Sequence, residues 1–167
     1  MWLISNARGI SQRLKADGGK IIEQDLPPEF KLVGYRSEFR LRWVASKLHL
    51  FTVVAEVPVA TSVDLDRHTD AALKYAVDQK GRFRGLQNGV AAIPVLLAPV
   101  VEPNAVEFAQ KRLIRKWGAF AWPALVDLIS EKIYSHVGSV AIGGIYAGWM
   151  RQQIRVALPE PPLPSAS

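Results

Sequence analysis

The chain has 167 residues, of which 49% are hydrophobic and 22% charged: enough apolar material for one buried core, and too much for a disordered polymer. Cysteine is absent, which excludes disulfides, thiolate metal sites and a cysteine nucleophile. The 21 basic and 15 acidic residues leave a formal net charge of +6, a bias toward anionic partners that by itself specifies none.

Residues 1–16 place Leu3, Ala7, Ile10 and Leu14 on one helical stripe and carry Arg8, Arg13 and Lys15 with no acid. The spacing predicts a helix packed on the core; the same stripe is compatible with targeting, or with contact to a membrane surface or a partner. ADGGK (16–20) and the double-proline segment DLPPEF (25–30) are breaks. KLVGYR (31–36) reads as a strand. SEFRLRWVAS (37–46) alternates Phe39, Leu41 and Trp43 with Glu38, Arg40 and Arg42, the period of a half-buried strand. KLHLFTVVAEV (47–57), apolar on both faces, predicts a central strand.

Residues 64–79 place Leu65, Ala72, Leu73, Ala76 and Val77 at helical spacing, with Asp64 and Asp66 near the positive end of the dipole. IPVLLAPVV (93–101) reads as a second buried strand, with pairing expected only after Pro94. Asn104 and Glu107 are spaced as a capping box, predicting a helix over 102–116 with Val106, Leu113 and Ile114 on one side. FAWPALVDL (120–128) is a third strand, EKIYSH (131–136) its hairpin partner, and 139–157 a last helix facing the core with Ile142, Ile145, Tyr146, Trp149 and Ile154. The tail after 158 holds Pro161 and Pro164 in a PxxP spacing and is expected to be extended.

This pattern predicts an α/β (or α+β) fold: one domain over 1–158 and a flexible tail over 159–167. Its mixed sheet of about five to six strands has a parallel βαβαβ segment, antiparallel hairpins at its edges and helices on its faces. The longest nearly apolar runs, 90–101 and 137–150, fall short of the roughly 20 residues that span a bilayer. No transmembrane helix is expected, and the cysteine-free composition suits a cytoplasmic protein.

GRFRGLQNG (81–89) has the glycine density of a phosphate loop, but it follows a helix and precedes a strand. Backbone amides cradle phosphate at helix N-termini, so the reversed order leaves Gly81 as a helix stop and Lys80, Arg82 and Arg84 as helix-terminal cations. GSVAIGG (138–144) has the right order but lacks the lysine and hydroxyl of a P-loop; Gly144 and Gly148 suggest a close helix contact instead.

Ligands of open parallel sheets bind beyond the carboxyl ends of the strands, which here collects Glu56, Glu102 and Asp127 with the helix-starting Ser62 and Asn104. Three carboxylates on one edge suit a magnesium ion and phosphoester hydrolysis. On the opposite edge the same geometry gathers Lys80, Arg82 and Arg84 with Lys111, Arg112, Arg115 and Lys116, an anion-binding set for a polyanion or an acidic protein surface. His49, His68 and His136 have no metal or catalytic spacing.

The order helix, three strands, helix, strand, helix over roughly residues 2–117 resembles the core of the PD-(D/E)XK nuclease-like superfamily. The resemblance implies a Glu-x-Lys on the third strand, and the matching position is Glu56-Val57-Pro58, with proline where the family has its lysine. Glu56 and Glu38 would then stand as the carboxylates. Without that lysine, the expectation is a binding module with a basic patch and no cofactor, with the magnesium-dependent phosphoesterase as the alternative.

Overall fold

A computed structural model describes residues 6–41, 46–80, 88–138 and 144–158. Helix α1 (Ala7–Ala16) is started by Asn6, whose side-chain oxygen accepts the Gly9 amide at 2.8 Å. Ile10 is fully buried and Leu14 packs beside it, as the stripe predicts; Leu3 lies outside the described residues. Strands β1 (Lys20–Ile22), β2 (Leu32–Arg40) and β3 (Ser46–Glu56) then form an antiparallel meander.

Two expectations change here. KLVGYR and the first half of SEFRLRWVAS are a single strand, because no turn residue separates Arg36 from Ser37; the third strand is Lys20–Ile22, too short to show a period. Nor does the alternation over 37–41 bury its apolar set. Phe39 and Leu41 are 56% and 79% exposed, while Glu38 on the other face pairs with Arg36 and Arg40. Alternation fixes the direction of a side chain, not whether a helix reaches far enough to cover it, and Phe39 pairs with Lys47 near the end of the ladder. Trp43 and Arg42 lie outside the described residues.

Helix α2 (Ser62–Lys80) carries β3 back to β5 (Asn88–Ala98), which runs parallel to it from Lys47↔Asn88 to Glu56↔Leu97. Thr61 and Asp64 form a capping box: the Thr61 amide donates to Asp64 Oδ2 at 3.0 Å, and the Asp64 amide to Thr61 Oγ1 at 3.2 Å. Beyond bends at the ends of β3 and β5, β4 (Val59–Ala60) and β6 (Val100–Val101) pair as a small parallel ribbon.

Pairing does not wait for Pro94, which sits in register with Val53. Successive residues of a parallel strand aim their polar groups at opposite neighbours. The Ala92 and Ala98 carbonyls accept from Trp122 and Leu128, whereas the Leu97 carbonyl accepts from Val57. Pro94 therefore turns its missing donor away from β3. It turns it toward a gap, because β8 (Ala119–Ala121) and β9 (Ala124–Asp127) hold one register on β5 and break at Trp122 and Pro123, opposite Ile93 and Pro94.

Helix α3 is shorter than its pattern: it covers Pro103–Lys111, with Glu102 as N-cap, and Ile114–Lys116 forms β7, an edge strand antiparallel to β8. Proline at its first position suits a helix start, and Asn104 is used elsewhere. β10 (Ile133–Ser135) pairs antiparallel with β9 as expected, and α4 (Gly144–Ala157) closes the described chain.

Among the described residues the main sheet has eight strands in the order β1-β2-β3-β5 and then β8 and β9 on the far side of β5, edged by β7 and β10. With the ribbon this exceeds the expected five to six, because prolines split long runs and short edge pieces carry no pattern. One face packs on α1 and α4 through Ile10, Trp149, Met150 and Ile154; the other packs on α2 and α3 through Leu65, Leu73, Ala105 and Phe108.

Among the described residues the expected close contact at Gly148 is absent: it is exposed, and a Cβ built there meets no atom within 4 Å beyond its own stretch of helix. Gly148→Ala is therefore expected to raise stability by about 0.5–1 kcal/mol, the ordinary gain from removing an interior helix glycine, measurable by denaturant unfolding. Among the described residues no helix is long and apolar enough to cross a membrane.

Candidate functional site

The carboxyl edge of the sheet does not assemble the three-carboxylate set. Glu56 is in register with Leu97 and Asp127 with Ala98, which are neighbours on β5, so the two acids point to opposite faces. Asp127 is already engaged: Oδ1 accepts the Ile129 and Ser130 amides at 2.9 and 3.0 Å. Partial burial works against its ionised form, but the bonds from Ser130 and Ile129 and the charge of Lys132 outweigh it and hold the carboxyl below its usual range. Glu102 occupies the N-cap position of α3 without a side-chain capping bond, and its amide donates to the Ala60 carbonyl. Among the described residues no three His, Asp or Glu side chains stand together as metal ligands.

Ser62 and Asn104 do meet there. Asn104 Oδ1 accepts the Ser62 amide at 2.9 Å, tying the start of α3 to the start of α2, so the pair is a helix–helix clamp. Glu38 and Glu56 are not brought together: Glu38 lies opposite Leu48, eight residues from Glu56 along β3 and so about 27 Å away at ~3.4 Å per residue.

A small cavity lies between α1, β2, β3 and α4, lined by Leu14, Gly34, Leu50, Thr52 and Gln153 among others, and has room for about one water. Gly34 lies close beside it: a Cβ there would stand 2.6 Å from a Leu14 methyl carbon, so that side chain would have to shift.

The three histidines are scattered. The His49 Nδ1 is 2.8 Å from the Tyr35 hydroxyl, in a packed aromatic group with Phe51. His68, 6% exposed, donates Nε2–H to the Val53 carbonyl at 2.9 Å. His136 stacks edge-on against Trp122, over which Arg151 also lies.

The basic residues divide differently from expectation. α2 has 19 residues and α3 only 9, about 28 and 13 Å, so the two helix ends are not level. Lys111 pairs with Glu107 at 2.7 Å and Lys116 with Asp70 at 2.8 Å. Arg112 lies over the Phe108 ring, and among the described residues neither it nor Arg115 has a carboxylate partner. Arg82 and Arg84 lie outside the described residues, as does the Lys80 side chain.

Lys116 pairs with Ala119, which aligns with Val90 at the amino end of β5; Arg115 sits one rung along, and Lys47 aligns with Asn88. Lys47, Arg115 and Lys116 thus stand toward the amino edge together with Glu38 and Asp70, and Glu56, Glu102 and Asp127 at the carboxyl edge together with Lys31 and Lys132.

One residue that the sequence reading did not single out stands at this edge. Trp117 and Gly118 join β7 to β8 in a two-residue turn with φ of 54° and 72°, the pattern of a type I′ hairpin. Glycine is at ease there and tryptophan is not. The signal was the dipeptide Trp-Gly between two short apolar pieces, hidden because the preceding residues continue the helical spacing of α3. Compared with family models, curated proteins and solved structures, the chain matches none of them.

Proposed function

We propose that the protein is a non-catalytic binding module that engages a polyanion through its basic amino edge. The observation that carries this reading is that Arg112 and Arg115 are exposed and unpaired with any carboxylate among the described residues. Lys111 and Lys116 already have carboxylate partners in exposed pairs, which are worth little and exchange readily for phosphate. The sequence neighbours Lys80, Arg82 and Arg84 belong to the same proposed set, and the cysteine-free composition leads us to place the protein in the cytoplasm. The parted carboxylates give the magnesium-dependent alternative no support.

Titration with duplex and single-stranded oligonucleotides at two salt concentrations tests the reading. Binding at low salt is expected to fall steeply as salt rises, and Arg112→Glu with Arg115→Glu to weaken it at least tenfold and flatten the salt dependence by roughly 0.9 per lost contact. No binding at low salt would refute it.

A further inference from the structure

We propose that Trp117 is a stacking platform for an unpaired base, making single-stranded nucleic acid the class of polyanion this edge takes; the inference rests on the polyanion reading above. Trp117 is 57% exposed at the tip of the β7–β8 hairpin. Its φ of 54° is a conformation that a bulky side chain adopts at a cost, and such cost persists where a residue is needed for something other than folding. Asparagine or glycine would satisfy the turn without it.

The surroundings select the partner. Lys116 Nζ lies 5.9 Å from the ring centroid, Arg115 precedes it, and Arg112 stands exposed at the end of α3. An exposed indole among cations on an edge strand is the combination that binds single strands, where cations track phosphates and the aromatic face takes a base of any sequence. A lipid surface would gain less. Leu113 and Ile114 are half-buried and Gly118 follows, so one ring alone would enter it. Duplex DNA keeps its bases stacked and offers none to the ring.

The test compares a labelled oligothymidylate, inorganic polyphosphate and vesicles of phosphatidylserine and phosphatidylcholine, with the full chain and its Trp117→Asn and Trp117→Phe variants. Oligothymidylate is expected to bind about tenfold more tightly than polyphosphate of equal charge, a margin that Trp117→Asn removes and Trp117→Phe largely keeps. Polyphosphate affinity should not change, and the melting temperature of Trp117→Asn should equal or exceed the parent's, which shows that the loss is not unfolding. Equal affinity for the two polyanions, unaffected by Trp117→Asn, overturns the stacking role and leaves the polyanion reading standing. Binding to neither overturns both. Trp117-dependent binding to vesicles alone makes the ring a membrane contact and overturns the nucleic-acid assignment.

Discussion

Trp149→Ala is expected to lower the unfolding free energy by about 3–5 kcal/mol. Trp149 is 2% exposed and, with Met150 and Ile154, is what α4 contributes to the layer between the sheet and the α1–α4 pair. Deleting the indole removes its transfer energy and leaves a cavity that two helices and a sheet cannot close. Against a usual total of about 5–15 kcal/mol, that loss is a large share of the stability. The neighbouring Gly148→Ala should shift stability the other way, so the two variants together check the orientation of α4. A loss under about 1 kcal/mol for Trp149→Ala would mean that α4 does not cover this face.

Acidification from pH 7.5 to 5.5 is expected to destabilise the fold chiefly through His68. Burial pushes its pKa below the ordinary value of about 6.5, and the carbonyls of Val53 and Val95 and the charge of Glu29 offset this only in part. The unfolded chain therefore binds a proton more readily than the native one. Stability is full above about pH 6.5 and declines as pH falls through that value toward the lower native pKa. His136, lowered by burial and then by Arg151, adds in the same direction. In this window most carboxylates stay ionised, so denaturant unfolding at the two pH values isolates the histidines. His68→Gln, which keeps a donor for Val53, is expected to flatten the dependence; an unchanged slope would assign it elsewhere.

The layers of this fold were legible where a run was long and apolar. Residues 47–57 and 93–101 mark central strands, and 64–79 marks α2, because burial on one or both faces leaves a period in the sequence. Short edge pieces left none: Lys20–Ile22 and Ile114–Lys116 are held by their neighbours in the sheet, and the second continues the spacing of α3 closely enough to pass for its last turn. Pro94 misled because proline's cost depends on which neighbour its missing donor faces, a property of register rather than of residue type.

The candidate site was half legible. Charge type in the sequence names the cations and acids, whereas face and pairing, which separate Glu56 from Asp127 and tie Lys111 and Lys116 to carboxylates, arise only when strands align. Trp117 stayed hidden for a related reason. Its meaning lies in a backbone angle.

A map of backbone amide chemical shifts during titration with inorganic polyphosphate at low salt tests the central claim most directly. Perturbations confined to residues 111–120 and the adjoining amino ends of β3 and β5 are the predicted result. Perturbations centred on Glu56, Glu102 and Asp127, or none at saturating polyphosphate, would contradict it.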